Sequence, residues 1–159
     1  MAGGGDSEQA RASSPRSYWG WGRVGDALDE SARGRLGMLV ASQLDLSGGE
    51  PLSPRSVDQL RLPPSRLRPL GVELPPAVES MLSRSAYDRA SHTYGKAFRD
   101  LLRGLRGDFA VAPDAVAYPG DEAELVALLD WCDGARVAVI PYGGGSSVVG
   151  GVEARCRDA

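Results

Sequence analysis

The sequence predicts an α+β protein: a helical amino-terminal region followed by a single strand–helix–strand unit. Three observations carry that class. On either side of a proline-rich connector, Leu28 to Leu46 and Tyr87 to Phe109 place their apolar residues near helical spacing. From Asp114 to Ile140, two short apolar runs flank one helix with a clear start and stop. The second run leads into Pro141-Tyr142-Gly143-Gly144-Gly145-Ser146-Ser147-Val148-Val149-Gly150-Gly151, a stretch too rich in glycine for a regular element.

Composition excludes several function classes. A length of 159 residues fits one domain or part of one. A net charge of -3 argues against a general nucleic-acid binder and against a polybasic membrane anchor. No stretch approaches the roughly 20 apolar residues of a membrane span, and no basic segment followed by an apolar core marks a secretory signal. A cytoplasmic, reduced setting is the expectation. Cys132 and Cys156 match no metal-ligand spacing, so no metal site is expected.

Residues 1–17 are Gly, Ser, Ala and charge, and read as a disordered tail. In Ser17-Tyr18-Trp19-Gly20-Trp21-Gly22, aromatics are costly to leave in water and are expected to staple onto the protein's own core. Leu28 to Leu46 carries Leu36, Leu39, Val40 and Leu44 near helical spacing, weakened by Gly34 and Gly37 and ended by Ser47-Gly48-Gly49-Glu50-Pro51. The chain to Pro76 is an extended connector, with a short helical turn expected over Val78 to Leu82. Tyr87 to Phe109 is more regular. Phe98, Leu101, Leu102 and Leu105 define one apolar face, Lys96, Arg99, Arg103 and Arg106 lie largely off it, and Gly104 and Gly107 close the helix. His92 is the only histidine; a lone histidine makes no metal site and reads as a structural hydrogen-bonding residue.

Ala115-Val116-Ala117-Tyr118 is a short strand stopped by Pro119-Gly120. Asp121 caps the following helix, with Glu124 at capping-box spacing. Leu125, Leu128, Leu129 and Cys132 form its apolar face, and Asp133-Gly134 ends it. Val137 to Ile140 is the second strand. A strand–helix–strand unit of this length is expected to be right-handed with parallel strands. The glycine run then leaves the carboxyl end of a strand, where open α/β sheets place ligands. Glycines let successive N–H groups converge on one anion, and Ser146 and Ser147 add hydroxyl donors. Taken alone, the glycines fit a surface turn equally well.

Two familiar phosphate sites do not match. A Walker loop requires Gly-Lys-Ser/Thr, and Gly145 is followed by Ser146-Ser147. A dinucleotide fingerprint requires Gly-x-Gly-x-x-Gly after the first strand of its unit. Here Val148 stands at the third glycine and the run follows the second strand.

Pro119 with its acidic helix start, and Val139 to Gly151, resemble the first FAD-binding subdomain of the vanillyl-alcohol-oxidase/PCMH flavoprotein family. Within that family the resemblance is closest to the alkyldihydroxyacetonephosphate synthases and the bacterial FAD-binding oxidases. It extends to Trp19-Gly20-Trp21-Gly22, to Arg89-Ala90-Ser91-His92-Thr93-Tyr94-Gly95, to Leu105-Arg106-Gly107-Asp108-Phe109 and to Pro113-Asp114-Ala115-Val116. It is patchy before Tyr87 and nearly continuous from there to Val152. The resemblance implies that Pro141, Tyr142, Gly143, Gly144, Gly145, Ser146 and Ser147 wrap the FAD pyrophosphate, with Val148 continuing the loop. Some relatives attach FAD through a histidine in this loop; none occurs here, which implies non-covalent FAD.

The resemblance organises the chain as a 1–17 tail, an 18–109 mainly helical region with its connector, and a 110–159 start of a PCMH-type FAD-binding domain. The family's remaining FAD domain, substrate domain and catalytic residues have no counterpart in this sequence, so the expectation is the amino-terminal part of a longer flavoprotein. The leading reading is an FAD-dependent oxidoreductase. The alternatives are a synthase-like transferase exchanging an acyl for an alkyl chain on glycerone phosphate, or a catalytically inert truncated fragment. The expected partners are FAD and a small or lipid-like substrate held by the missing domain. Oligomeric state is open, a homodimer among the options.

Overall fold

A computed structural model of the chain describes residues 14–44, 52–67 and 73–155. Most of the expected tail, and Cys156, lie outside these residues. The described chain opens as a tight turn. Ser17 N–H donates to the Gly22 carbonyl at 2.9 Å and Val24 N–H to the Pro15 carbonyl at 2.9 Å. Residues 14–17, the described part of the stretch expected to be a tail, take part in this turn. A 3₁₀ turn over Val24–Asp26 leads to helix α1, Glu30–Leu44. The Asp29 carboxylate caps α1 by accepting from Ala32 N–H at 2.7 Å. The expected helix is present, yet no residue of it is buried and Met38 is 69% exposed.

The connector carries a 3₁₀ turn at Val57–Gln59 and then the short helix α2, Pro76–Glu79, whose first residue is the proline that helix starts favour. Leu82, expected to end that turn, instead starts strand β1, Leu82–Ser83. Two helices follow where the sequence reads as one regular stretch: α3, Ala86–Ser91, and α4, Phe98–Arg106. Ser85 caps α3 through a bond from Asp88 N–H at 3.0 Å. Gly107 closes α4 at φ 74, as its position predicts.

The face of α4 differs from expectation. Phe98 is 76% exposed, and the buried residues are Asp100 and Gly104. Gly104 does not close the helix; it is the seat of the aromatic turn. A Cβ there would lie 3.0 Å from the Trp19 Cβ and 3.1 Å from its Cα. Close backbone approach, rather than large side chains, makes this contact.

Strand β2, Val116–Ala117, falls inside the expected run. It pairs antiparallel with β1, Leu82 opposite Ala117 and Ser83 opposite Val116. Helix α5, Glu122–Gly134, is capped by Asp121, which accepts from Glu124 N–H at 2.8 Å, while the Glu124 carboxylate accepts from Gly120 N–H at 2.6 Å. Leu128 and Cys132 of its apolar face are buried; Leu125 and Leu129 stay largely exposed. The expected second strand, residues 137–140, has no ladder among the described residues, so the parallel pair is absent. Extended sequence alone does not make a strand without a hydrogen-bonded partner, and the partner of β2 is β1 rather than residues 137–140. Val137 instead packs beside the cluster of Val78, Met81, Leu128 and Cys132. The class remains α+β.

Two small clusters hold the fold. One is Val78, Met81, Leu128 and Cys132, joining α2 to α5. The other is Tyr18, Ala90, Tyr94, Phe109 and Ala112, with Trp19 packed against it. Tyr18 and Tyr94 each lie 5.8 Å from Phe109, ring to ring, and the Tyr18 hydroxyl donates to the Arg55 carbonyl. Tyr18 and Trp19 are therefore stapled to the core as expected; Trp21 is 61% exposed.

Candidate functional site

The glycine run is pinned at three places and open between them. At its start, the half-buried Tyr142 hydroxyl reaches the Ser91 carbonyl at 2.9 Å and the Tyr94 carbonyl at 3.1 Å. Its ring lies 4.5 Å from the His92 ring, and burial pushes its phenol pKa up. Gly145 is buried at φ 67, and a Cβ there would meet the Tyr142 hydroxyl at 2.2 Å. Only glycine permits this curl of the chain over its own tyrosine.

At its middle, the Ser147 carbonyl accepts from Lys96 N–H at 2.7 Å. Gly95 is buried at the same contact, where a Cβ would lie 1.9 Å from the Ser147 oxygen. At its end, Gly150 turns at φ 78, and its carbonyl accepts from Glu153 N–H at 3.2 Å. The buried Glu153 carboxylate binds Arg103 at 3.1 Å, Arg99 at 3.3 Å and Arg155 at 2.6 Å. Burial opposes its ionisation, but hydrogen bonds from Arg155 and Arg103 prevail and hold its pKa below the ordinary value. Arg103 also lies 3.9 Å over the Tyr94 ring, joining this clamp to the aromatic core.

Between the pins, a Cβ added at Gly143 or at Gly144 would meet nothing within 4 Å. None of the backbone N–H groups from Gly143 to Val148 donates to a protein acceptor among the described residues. Tyr142, Gly143 and Gly144 line a cleft of about 540 Å³ whose other walls are the Arg16 to Gly22 turn, α3, Lys96 and Tyr118. Pro141, Ser146 and Val148 are exposed and Ser147 is half-buried; these four lie outside the cleft lining.

The cleft's acidic residue is held by three hydroxyls. Asp88 accepts from the hydroxyls of Ser83, Ser85 and Tyr118, the last at 2.9 Å. Burial and the Asp88 bond push the Tyr118 phenol up to about 12. His92 caps the end of α3, its Nδ1 2.8 Å from the Asp88 carbonyl, in the structural role its isolation suggests. Among the described residues no group of His, Cys, Asp or Glu is arranged to hold a metal.

Sequence reasoning missed the receiving side of the loop. Gly95 and Lys96 stand in a stretch that reads as continuous helix, and only the glycine hints at a close approach. Glu153 follows the run, and two of its three arginine partners, Arg103 and Arg99, are 50 and 54 residues away, beyond any local pattern.

A capped helix after a short strand leads into a glycine loop that is pinned at three places and whose Gly143 to Val148 amides have no protein acceptor among the described residues. Residues 113–158 match the profile of the family described as "FAD binding domain", and FAD is the cofactor of that domain. The chain is similar to the alkyldihydroxyacetonephosphate synthase of Trypanosoma brucei brucei, 38% identical over 95 residues. It is also similar to that of Dictyostelium discoideum, 40% identical over 65 residues. The matches cover 58% and 41% of this chain, and it spans 16% and 11% of those enzymes. Two solved structures of an alkyldihydroxyacetonephosphate synthase share the fold with TM-scores of 0.64 and 0.62 at 24% identity. Each covers 87% of this chain, which covers 30% and 28% of them.

Proposed function

We propose that Pro141 to Val148 binds the pyrophosphate of FAD, and that this chain contributes cofactor placement to an alkyldihydroxyacetonephosphate synthase-like enzyme. The observation that carries the reading is the run of amides from Gly143 to Val148 without protein acceptors. Amides aimed away from the protein at a glycine turn neutralise a diphosphate without needing side-chain charge. The open space over Gly143 and Gly144 lets an anion reach the backbone itself. The Ser146 and Ser147 hydroxyls add donors at the rim.

When bound, FAD supplies the reactive isoalloxazine ring, and the chain's residues hold the cofactor at the diphosphate that joins its two halves. The Tyr142, Gly95 and Glu153 contacts keep the loop in one shape, so little ordering is required when the anion arrives. The absence of a histidine from the run fits non-covalent attachment. The names of the relatives favour the synthase-like transferase over an oxidoreductase.

Titration of the chain with FAD, alongside a Gly144→Val variant, tests the cradle. A Cβ at Gly144 meets nothing within 4 Å, so the variant is expected to keep its thermal midpoint while flavin binding is abolished. Unchanged flavin binding in Gly144→Val removes the assignment. For the reaction, product analysis of the enzyme carrying this chain, given an acyl glycerone phosphate and a fatty alcohol, yields the alkyl product on this reading. Flavin turnover without that product returns the oxidoreductase.

A further inference from the structure

We propose that Lys96 and Arg16 form a cationic wall of the cleft that Gly143 and Gly144 line, and that this wall engages the diphosphate of the dinucleotide. The proposal rests on the loop reading above and deepens it by bringing the amino-terminal turn into the binding site. Both residues line the same cleft as the two open glycines. Neither has a carboxylate within ion-pair distance among the described residues. Neighbouring arginines differ: Arg99, Arg103 and Arg155 are held by Glu153, and Arg84 by Glu79.

Lys96 is the only lysine and is half-buried. Its backbone N–H is bonded to Ser147, so the base of its side chain is fixed relative to the loop. Burial and then the Arg16 charge press its pKa down, against a smaller pull from Asp100. Two like charges sharing a partly desolvated cleft repel, and an anion between them relieves that repulsion while gaining from both. Asp88 also lines the cleft, but its carboxylate accepts from three hydroxyls and makes no ion pair with the lysine among the described residues.

Phosphate could reach this wall from the cofactor or from a phosphorylated substrate, and the choice of probes separates them. The 159-residue chain is titrated with ADP, riboflavin and glycerol phosphate, as wild type and as Lys96→Met, Lys96→Arg, Arg16→Gln and Gly144→Val. We expect Lys96→Met and Arg16→Gln each to weaken ADP about tenfold or more, the weight of one charge-assisted contact. Both variants flatten the salt dependence of ADP binding, Lys96→Arg restores it, and riboflavin is indifferent to all three. Arg16 is exposed, so its variant stays informative where a Lys96 change disturbs folding.

Normal ADP binding by Lys96→Met and Arg16→Gln, with loss in Gly144→Val, overturns the wall and leaves the loop reading standing. Normal ADP binding in Gly144→Val as well, or none in the wild type, overturns both. A loss confined to glycerol phosphate assigns the cations to a substrate and overturns the dinucleotide claim.

Discussion

At the scale of single residues, Arg136 shows how a helix end can be made by the wrong amino acid. Arg136 N–H donates to the Asp133 carbonyl at 3.2 Å and Val137 N–H to the Cys132 carbonyl at 2.8 Å, the paired bonds of a Schellman motif. The motif needs a left-handed residue between them, and Arg136 takes it at φ 56. The sequence suggests Asp133-Gly134 as the stop, but Gly134 is still helical and the reversal comes two residues later. The reason is that Val137 must turn back to pack on the α2–α5 cluster, and that geometry sets the site of the turn. The left-handed conformation costs a residue with a Cβ roughly 1–2 kcal/mol. Glycine loses roughly 0.5–1 kcal/mol of that advantage through its freer unfolded state. Arg136 is exposed and has no ion pair among the described residues, so Arg136→Gly removes no contact. Its denaturation midpoint should rise by the equivalent of about 0.5–1 kcal/mol; an unchanged or lower midpoint in urea melts contradicts the account.

At the scale of elements, the loop's shape depends on what receives it. The α3–α4 joint presents Gly95 against the Ser147 carbonyl, 1.9 Å from where a Cβ would stand, with no flexible atom on either side to yield. Gly95→Ala should therefore break the Lys96–Ser147 bond and lift the loop, at a cost of about 2 kcal/mol or more. Faster amide exchange at Lys96 is the direct readout. The far end is held by charge. Glu153 has a depressed pKa, so its contribution is fully present above its ordinary value of 4.5 and is lost as pH falls through the lower folded value. Glu153→Gln should cost about 2–3 kcal/mol at neutral pH, and the gap between the two proteins should narrow as pH falls from neutral to below 4.5. Parallel stability curves for wild type and variant across that range would refute the clamp. Local pattern made the loop and the capped α5 legible, since glycine runs and capping residues act over three or four neighbours. The clamp and the joint were not legible, because they pair residues about 50 apart. The same limit explains α4, where helical spacing pointed to Phe98 and the contact is made by Gly104.

At the scale of the molecule, burial is sparse for the chain's length. Among the described residues two clusters form the interior, while α1 buries nothing, the 137–140 segment has no ladder, and Val149 is 86% exposed. Unfolding such a chain exposes little new surface, so its urea slope should sit at the low end for small proteins, near roughly 1 kcal/mol/M. Cooperativity then depends on what the loop binds. A ligand that binds only the folded state adds stability that grows with its concentration, about 2.7 kcal/mol at a hundredfold excess over Kd. For a chain with so small a core, that is a large share of the whole. If the chain grips the phosphates and not the ring, as proposed, FAD and ADP should both raise the thermal midpoint in proportion to the logarithm of concentration, while riboflavin should not. Gly144→Val separates this from general stabilisation. Its added side chain has open space, so the ligand-free midpoint should match wild type and only the ligand-dependent rise should vanish. A rise that survives in Gly144→Val would place the ligand elsewhere on the surface, and a riboflavin rise equal to that of FAD would place the grip on the ring.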